Sequence, residues 1–339
     1  MAGELGNLDR GSKKERGGVM KLLARLHRTY VAAYLRRHPL QTIGVIYVIV
    51  SLVLAVIGPF VVPHSPTETV QGAVLLPPSS NYWFGTDANG MDVFSRTIAA
   101  FRTDLVIALA GALLCMLIGA PLGVFAGYFD GRQGFAGILA RLLLRFEDVL
   151  QAFPIFVLAL LLVAAFGPHP LNLILAIVVV NHISNLRLAR SEVLLLREKT
   201  FVEAAKAAGN SNMRIAFVHL LPNALNPVIA MISMVMGFGI LLIAGLSFVG
   251  AGVRVPTPEW GSMIAIGGPS VMTGQWWPSF FPGAFMAVTI FAYSMVGEAI
   301  TALLDPLGRI RMGFGGAQSV AKASIAIATK EADSVTAAA

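Results

Sequence analysis

Charged residues and cysteine are scarce in this chain. Asp, Glu, Lys and Arg together make up 13% of its 339 residues, whereas hydrophobic residues make up 56%. Soluble domains usually carry about 25% charged residues, so one soluble core does not explain this composition. The single cysteine, Cys115, excludes an intrachain disulfide and a cysteine-based metal cluster. The composition predicts a membrane protein.

The motifs of the common enzyme classes are also missing. No Gly-Lys dipeptide occurs in the sequence, so the chain lacks the phosphate-binding loop of an ATPase. It has neither the H-E-x-x-H pattern of zinc proteases nor the G-x-S-x-G pattern of serine hydrolases, and its six histidines show no metal-ligand spacing. We therefore predict that the chain is not an enzyme, has no catalytic residue, and binds no metal or other cofactor itself.

Long stretches without Asp, Glu, Lys or Arg dominate the sequence. There are five of them: Pro39–Thr67, Leu105–Phe129, Val149–Leu186, Ile215–Val253 and Trp260–Gly297. A helix crosses the hydrocarbon core of a bilayer with about 20 residues, so the third stretch has room for two spans with a turn between them. The chain is expected to be an all-α, polytopic membrane protein with six transmembrane helices, at about 40–62, 104–127, 143–166, 171–188, 224–249 and 281–303.

The basic residues predict the orientation of these helices. Residues 1–38 hold nine of the 25 Lys and Arg residues, whereas residues 64–95 hold none. The segments 129–145 and 187–222 are also basic, and Lys and Arg concentrate in cytoplasmic loops. Both termini are therefore predicted to be cytoplasmic. The net charge of +7 follows from this topology, so membrane lipid is an expected partner and nucleic acid is not.

This topology divides the chain into five parts. Residues 1–38 are expected to form a cytoplasmic segment with an interfacial helix, and residues 39–63 the first transmembrane helix. An outer loop at 64–100 follows. Residues 101–310 contain the other five transmembrane helices and a cytoplasmic loop at about 197–222. The tail at 313–339 is rich in Gly, Ala, Ser and Thr and is predicted to be disordered.

The cytoplasmic loop between the fourth and fifth spans has a distinctive local pattern. Thr200 and Glu203 fit a capping box that starts a helix, and Gly209 fits the left-handed position that ends one. Alanines of high helix propensity and little bulk lie between them, at Ala204, Ala205, Ala207 and Ala208.

A second short helix is predicted after this turn. Ser211 or Asn212 can cap it, and Pro222 then opens the next span. Its apolar contacts are expected from Ile215, Phe217, Val218 and Leu221. The two helices would present a small-residue surface that another protein can approach closely. The local pattern alone equally allows a well-capped connecting loop, in which Glu203 is only a cap.

This loop resembles the E-A-A-x3-G-x9-I-x-L-P motif of the permease subunits of ABC importers. His219 occupies the position of the isoleucine, and the other motif residues stand in register. In that family the loop carries a coupling helix that docks into a cleft on the ATP-hydrolysing subunit. The resemblance thus implies an ATPase-coupling role for Thr200, Glu203, Ala204, Ala205, Ala208, Gly209, His219, Leu221 and Pro222.

Two further segments resemble the outer loops of the dipeptide/oligopeptide/nickel branch of that family. One runs from Phe84 to Arg96, although Met91 stands where the branch often has arginine; locally, a Gly/Asp turn before a helix that starts at Asp92 explains it equally well. The other is Pro256-x-Pro258-Glu259-Trp260-Gly261. The resemblance implies that these loops face an external binding protein, with Asp87, Gly90, Asp92, Pro258, Trp260 and Gly261 as the candidate residues.

Further segments match the family, and one position differs from it. Arg145, Asp148 and Phe153-Pro154 match the entry to the third span, and Leu304-Asp305-Pro306 matches the exit from the sixth. The ordered set covers roughly residues 80–310. His182, however, stands where relatives often have tryptophan.

The resemblance implies a type I ABC importer permease fold, with residues 101–310 as the permease core domain. It implies a permease subunit that moves dipeptides or oligopeptides across the cytoplasmic membrane of a bacterium or archaeon, with nickel or another small solute as the alternative. The implied partners are a second, homologous permease subunit in a heterodimer, two cytoplasmic ATPase subunits that bind ATP and Mg²⁺, and an external solute-binding protein.

Two sets of residues inside the spans are candidates for a substrate pathway. Asn181, His182 and Asn185 form a polar patch in the fourth span, and Met231 and Met234 could line an adaptable path in the fifth. Both sets also have a structural explanation, since polar residues in spans often bond a neighbouring helix and methionine fills gaps in cores.

Two function classes compete with an importer subunit. A stand-alone secondary carrier is expected to show inverted repeats or several ionisable residues deep in its spans, and only His182 lies deep in a predicted span. A membrane-embedded scaffold without transport activity is the other alternative.

Overall fold

The computed structural model describes residue 31 and residues 34–304. Regular secondary structure in this part of the chain is helical, apart from one isolated β-bridge between Thr86 and Asp92. Residues 43–298 form one compact unit, and the remaining described residues belong to a second. Most of the predicted interfacial helix and the whole predicted tail lie outside the described residues.

The helices follow the predicted hydrophobic segments. In chain order they are α1 (Pro39–Val61), α2 (Val93–Phe129), α3 (Phe135–Gln151), α4 (Ile155–Phe166), α5 (Pro170–Leu196), α6 (Thr200–Ala207), α7 (Asn212–Phe248), α8 (Trp260–Val271) and α9 (Trp277–Leu304). Five of these are long and apolar enough to cross a membrane: α1, α2, α5, α7 and α9. The prediction of an all-α polytopic membrane protein is confirmed.

The predicted third span is not one straight helix. It consists of α3 and α4, which meet at a bend of 92° and could together form a broken sixth span. Pro154 explains the break, because proline lacks an amide hydrogen and disfavours helical geometry in the residue before it. The prediction of six spans therefore holds only if this bent pair counts as one.

Helix α2 starts eleven residues before the predicted second span. Asp92 caps it, because its Oδ2 accepts a hydrogen bond of 3.0 Å from the Ser95 amide. The turn-and-cap interpretation of this segment is thus confirmed, and the first turns of α2 belong to the predicted outer loop.

Helices α2 and α5 pack in parallel at very short range along four glycines of α2, which we call the glycine ladder. A Cβ atom on Gly123 would lie 2.2 Å from the Leu186 carbonyl oxygen, and one on Gly119 would lie 2.4 Å from the His182 carbonyl oxygen. Small residues permit such backbone contact between membrane helices. The ladder comprises Gly111, Gly119, Gly123 and Gly127.

The main apolar core lies where α2, α5 and α7 meet, with α4 against its side. Ala108, Ile177 and Ile240 are almost completely buried there. Helix α1 joins α9 through a hydrogen bond of 2.8 Å between the Tyr47 and Thr289 hydroxyl groups. Loops and short helices lie at the two ends of the bundle. We call residues 62–92 with 249–259 the loop end, and residues 130–134 with 197–211 the basic end.

The glycine ladder predicts a selective sensitivity to added methyl groups. Gly123→Ala should lower the free energy of unfolding by about 1–3 kcal/mol, because the new methyl group forces the backbones of α2 and α5 apart. Gly268→Ala is the control, since a Cβ there has no neighbour within 4 Å. Thermal unfolding in detergent should show a lower Tm for the first variant only; equal Tm values would contradict the packing.

Candidate functional site

The predicted coupling segment forms one short helix and a tight turn. Gly209 has a φ angle of +78°, as predicted for a left-handed stop. The Ser211 hydroxyl accepts a hydrogen bond of 3.3 Å from the Arg214 amide and so caps the next helix. The predicted capping box is wrong: Lys199 occupies the cap position without a side-chain hydrogen bond. Thr200 already has helical geometry as the first residue of α6, so its hydroxyl group does not cap the helix.

The helix after the turn is not separate from the fifth span. Helix α7 runs from Asn212 through Pro222 to Phe248, with a π-helical turn at Ile215–Leu220. In a π-helical turn each amide donates to the carbonyl group five residues earlier, whereas in an α-helix it donates to the one four residues earlier. Here the Leu221 amide donates to the Ala216 carbonyl. Pro222 has no amide hydrogen, and such a π-turn accommodates the missing bond without ending the helix.

Most of the predicted coupling residues form an exposed surface, which we call the coupling surface. It comprises Thr200, Glu203, Ala204, Ala208 and Gly209, all of them exposed. Of the remaining predicted residues, Ala205 faces inwards and is buried. His219, Leu221 and Pro222 lie about two to three turns after the start of α7. Their ATPase-coupling role stays a prediction.

The coupling surface rests on an apolar base built from α2, α5, α6 and α7. On the side of α6 away from the surface, Val202 and Ala205 are buried. They belong to one cluster with Tyr128, Val193 and Ile215. A displacement of α6 is therefore transmitted to this base, because close-packed side chains transmit strain.

Polar contacts between residues that flank this apolar base stabilise it. The Tyr128 hydroxyl and the Arg132 guanidinium each donate a hydrogen bond of 3.0 Å to the Asn212 side-chain oxygen. The Arg132 guanidinium also lies 3.9 Å from the centre of the Tyr128 ring, within cation–π range. Arg190 pairs with Asp130 at 2.9 Å. These residues were not predicted; basic residues at span ends were the only sequence signal, and they do not reveal partners.

A buried arginine organises the loop end. Arg96 is completely buried, and its Nη1 atom donates to the carbonyl oxygens of Pro66 at 2.8 Å and Pro256 at 2.9 Å. Its Nε atom lies 3.6 Å from the Asp87 carboxylate. The carboxylate of Asp87 in turn accepts hydrogen bonds from the amides of Asn89 and Met91. One side chain thus ties the loops before α2 and after α7 to each other.

Trp260 forms a second link at the loop end. Its backbone amide donates 3.1 Å to Asp104, and its indole donates 3.0 Å to the Thr97 carbonyl. The preceding Glu259 caps α8 with hydrogen bonds of 2.7 Å from the Gly261 and Ser262 amides. Burial raises the pKa of Glu259 above its ordinary range, although the bonds that its carboxylate accepts oppose this shift.

All six residues predicted to face a binding protein are buried in this chain. They hold the two loops in shape and leave the contact surface to exposed neighbours such as Trp83 and Val255. That these loops meet a binding protein stays a prediction. The sequence pattern did not distinguish residues that shape a loop from residues on its exposed surface.

The predicted pathway residues separate into two groups. A cavity of about 360 Å³ lies between α5, α7 and the bend from α3 to α4, and its lining includes Asn181, Met231 and Met234. His182 points elsewhere, with its Nε2 atom 3.2 Å from the Glu147 carboxylate on α3. Asn185 is buried, and neither polar atom of its side chain has a partner.

Comparisons with known proteins decide the family. The family model of binding-protein-dependent transport system inner membrane components matches residues 119–309, which is more than half of the chain. The chain belongs to this family. It is therefore a permease component and a multi-pass protein of the inner membrane. A second model, the N-terminal transmembrane domain of oligopeptide transport permease C, matches residues 29–78.

Individual relatives agree with this assignment. The permease is 35% identical over 272 residues to the probable D,D-dipeptide transport system permease protein of Escherichia coli, covering 80% of this chain and 89% of that protein. It is 34% identical to the dipeptide transport system permease protein of Bacillus subtilis, covering 80% and 83%. It is 30% identical to the oligopeptide transport system permease protein of the same organism, covering 80% and 87%. The predicted family resemblance is confirmed.

The buried arginine of the permease gives a direct prediction. Arg96→Met should lower the free energy of unfolding by about 3–5 kcal/mol, because it leaves the Asp87 carboxylate and two carbonyl groups without their donor. Arg102→Met, at an exposed position of the same helix, is the matched control. Limited proteolysis of the 62–92 loop and the Tm in detergent should both change for the first variant and not for the second.

Buried Glu259 at the loop end predicts a pH dependence. Because the pKa of Glu259 is raised in the folded state, its contribution to stability is full below the ordinary pKa of glutamate, about 4.3, and is lost as pH rises towards the raised pKa. Glu259→Gln should reduce this loss, since an amide side chain does not ionise. Tm measured against pH tests this, with Glu198→Gln as an exposed control; an unchanged slope in Glu259→Gln would contradict it.

Proposed function

We propose that this permease is one transmembrane subunit of an ATP-driven importer of peptides, of the dipeptide or oligopeptide class. The coupling surface is the observation that carries the proposal: it is exposed, lined by small side chains, and supported by an apolar base that includes the ends of α2 and α5. The names of the relatives support peptides as the cargo, and nickel or another small solute is the alternative substrate class.

The basic end lies in the cytoplasm in this proposal, together with both termini. Its support is charge: Arg132, Arg190 and Arg197 cluster there, and basic residues favour the cytoplasmic side. Two ATPase subunits dock at the coupling surfaces of this chain and of a second, homologous permease subunit. ATP and Mg²⁺ bind to the ATPase subunits, and this chain supplies no bond-breaking residue.

The loop end faces the external binding protein. The buried network around Arg96 and Trp260 keeps the two loops in one arrangement, so that exposed side chains such as Trp83 present a constant surface to it. Importer function requires the two end states of the permease to differ in their affinity for ATPase and binding protein. A displacement of α6 moves the start of α7, because a short turn joins the two helices. Helix α7 forms one wall of the cavity.

The cavity is suited to a peptide by its lining. Asn181, Ser184 and Gln151 offer groups that can hydrogen bond to a peptide backbone, whereas Met231 and Met234 offer adaptable apolar contact to varied side chains. A second permease subunit would complete the pathway from the other side.

Reconstitution tests the function as a whole. The native complex should contain an ATPase, and in proteoliposomes it should take up labelled dipeptides and tripeptides only with ATP and the binding protein. A native complex without an ATPase contradicts the proposal. Uptake of nickel without uptake of peptides supports the alternative substrate class.

The coupling surface predicts the effect of a bulky residue at its turn. Gly209→Val should reduce ATP-driven uptake about tenfold or more, since a loss of about 1.4 kcal/mol of docking energy has this effect. Gly274→Val is matched to it: both glycines have positive φ and free space around a Cβ, so both variants carry the same backbone strain. Only Gly209→Val should impair ATPase docking; equal uptake by the two variants would contradict the coupling role.

A further inference from the structure

A buried hydrogen-bonded pair of a histidine and a glutamate joins α3 to α5 inside the apolar part of the bundle. The Nε2 atom of His182 lies 3.2 Å from Oε1 of Glu147, and the two residues are 8% and 3% exposed. Helix α3 buries only Gly137, Ala140 and Glu147. Glu147 is thus the only buried polar anchor of a helix that otherwise presents much of its surface outwards.

The hydrogen bonds of His182 determine where its protons must be. Its Nδ1 atom lies 2.9 Å from the Val178 carbonyl oxygen and 3.1 Å from that of Val179. Carbonyl oxygens only accept hydrogen bonds, so Nδ1 carries a hydrogen. Contact between Nε2 and Glu147 then requires one more proton, either on the imidazole or on the carboxyl group. Without it, two lone pairs would face each other across 3.2 Å.

No other charged side chain of the described residues competes for this proton from the packed helices. Residues 105–129 of α2, all of α4 and residues 220–248 of α7 contain no Asp, Glu, Lys, Arg or His. The nearest titratable group of α2 is the Cys115 thiol, 3.9 Å from the Val178 carbonyl oxygen. On α3 and α5 themselves, Arg145, Asp148 and Arg187 form a separate, exposed ion-pair group.

The pair stands beside the cavity that we assign to the substrate. Leu150 and Gln151, one turn after Glu147, line one wall of the cavity. Asn181 and Ile183, on either side of His182, line another. The bend at residues 152–154 directly follows the wall on α3. The distance between α3 and α5 at the pair therefore sets the width of the cavity.

We propose that Glu147 and His182 form a proton-carrying latch, which holds the bend between α3 and α4 against α5 and thereby sets the width of the substrate cavity. Both are positioning residues for transport. When the bond between the two side chains breaks, the latch opens and α3 moves away from α5. The effect of the latch on peptide uptake rests on the proposed transport function. The distance between α3 and α5 can be measured without substrate.

Two variants at Glu147 separate the latch from a general structural role. Glu147→Gln keeps the bond, because its amide group donates to Nε2 of neutral His182 and needs no shared proton. Glu147→Ala removes it and leaves the Nε2 atom of His182 without a partner. In proteoliposomes, we expect peptide uptake by Glu147→Ala to change about tenfold, as the loss of a hydrogen bond to a charged group would give. Glu147→Gln should keep wild-type uptake at neutral pH.

An exposed neighbour provides the control. Asp148→Asn, which breaks the exposed pair with Arg187 one residue away, should follow the wild type. Wild-type behaviour of Glu147→Ala, or the same change of uptake in Glu147→Gln as in Glu147→Ala, would overturn the latch.

A distance measurement keeps this test independent of transport. Spin labels at Leu142→Cys on α3 and Ser191→Cys on α5, both exposed positions, can be placed in a Cys115→Ala background and measured in the assembled complex. The distance distribution should be broader or longer in Glu147→Ala than in the wild type, and should stay narrow in Glu147→Gln. If this distance changes as expected while peptide uptake is absent, the proposed function fails and the latch stands. An invariant distance overturns the latch.

Discussion

The short-range packing of α2 on α5 positions both candidate sites of the permease. Within lipid, the hydrophobic effect does not drive helices together, so close van der Waals contact between backbones must do so. The glycine ladder provides that contact along the C-terminal half of α2. One residue beyond its last glycine, Tyr128 reaches Asn212 at the basic end. At the other end of the same helix, Arg96, Thr97 and Asp104 hold the loop end.

The two ends of the bundle differ in the polarity of the groups that they bury. At the loop end, Arg96 and four acids are buried: Asp87, Asp92, Asp104 and Glu259. Burial of charge is tolerated only when partners are in place. Arg96 and Trp260 bind mainly to backbone groups, which fixes the course of the loops themselves. At the basic end, the base is apolar and the polar contacts lie around its rim. This arrangement leaves the surface of α6 open to a partner while the opposite side of the helix is packed.

Sequence reasoning predicted the features that depend on local chemistry. The Asp92 cap, the left-handed Gly209 and the long apolar helices each follow from a few neighbouring residues. It failed where distant residues decide the outcome. Thr200 fits a capping box in sequence, yet the helix starts one residue earlier than that pattern requires. The sequence did not single out Glu147, because its partner His182 is 35 residues away. The glycine ladder was missed for the same reason, since its periodic glycines acquire meaning only beside α5.

The same distribution of contacts indicates where the permease can change shape. Helices α2 and α5 contact each other through backbone atoms over several turns, and such packing has few alternative arrangements. The segments attached to them have less regular connections. The bend between α3 and α4 contains a proline and is held by the buried pair of Glu147 and His182. Helix α6 ends in a glycine turn, and α7 contains a π-turn beside Pro222. Helix irregularities of this kind bend more readily than regular helix. A load applied at the coupling surface would therefore reach the cavity through α7 and the bend, while the glycine ladder keeps the loop end in register.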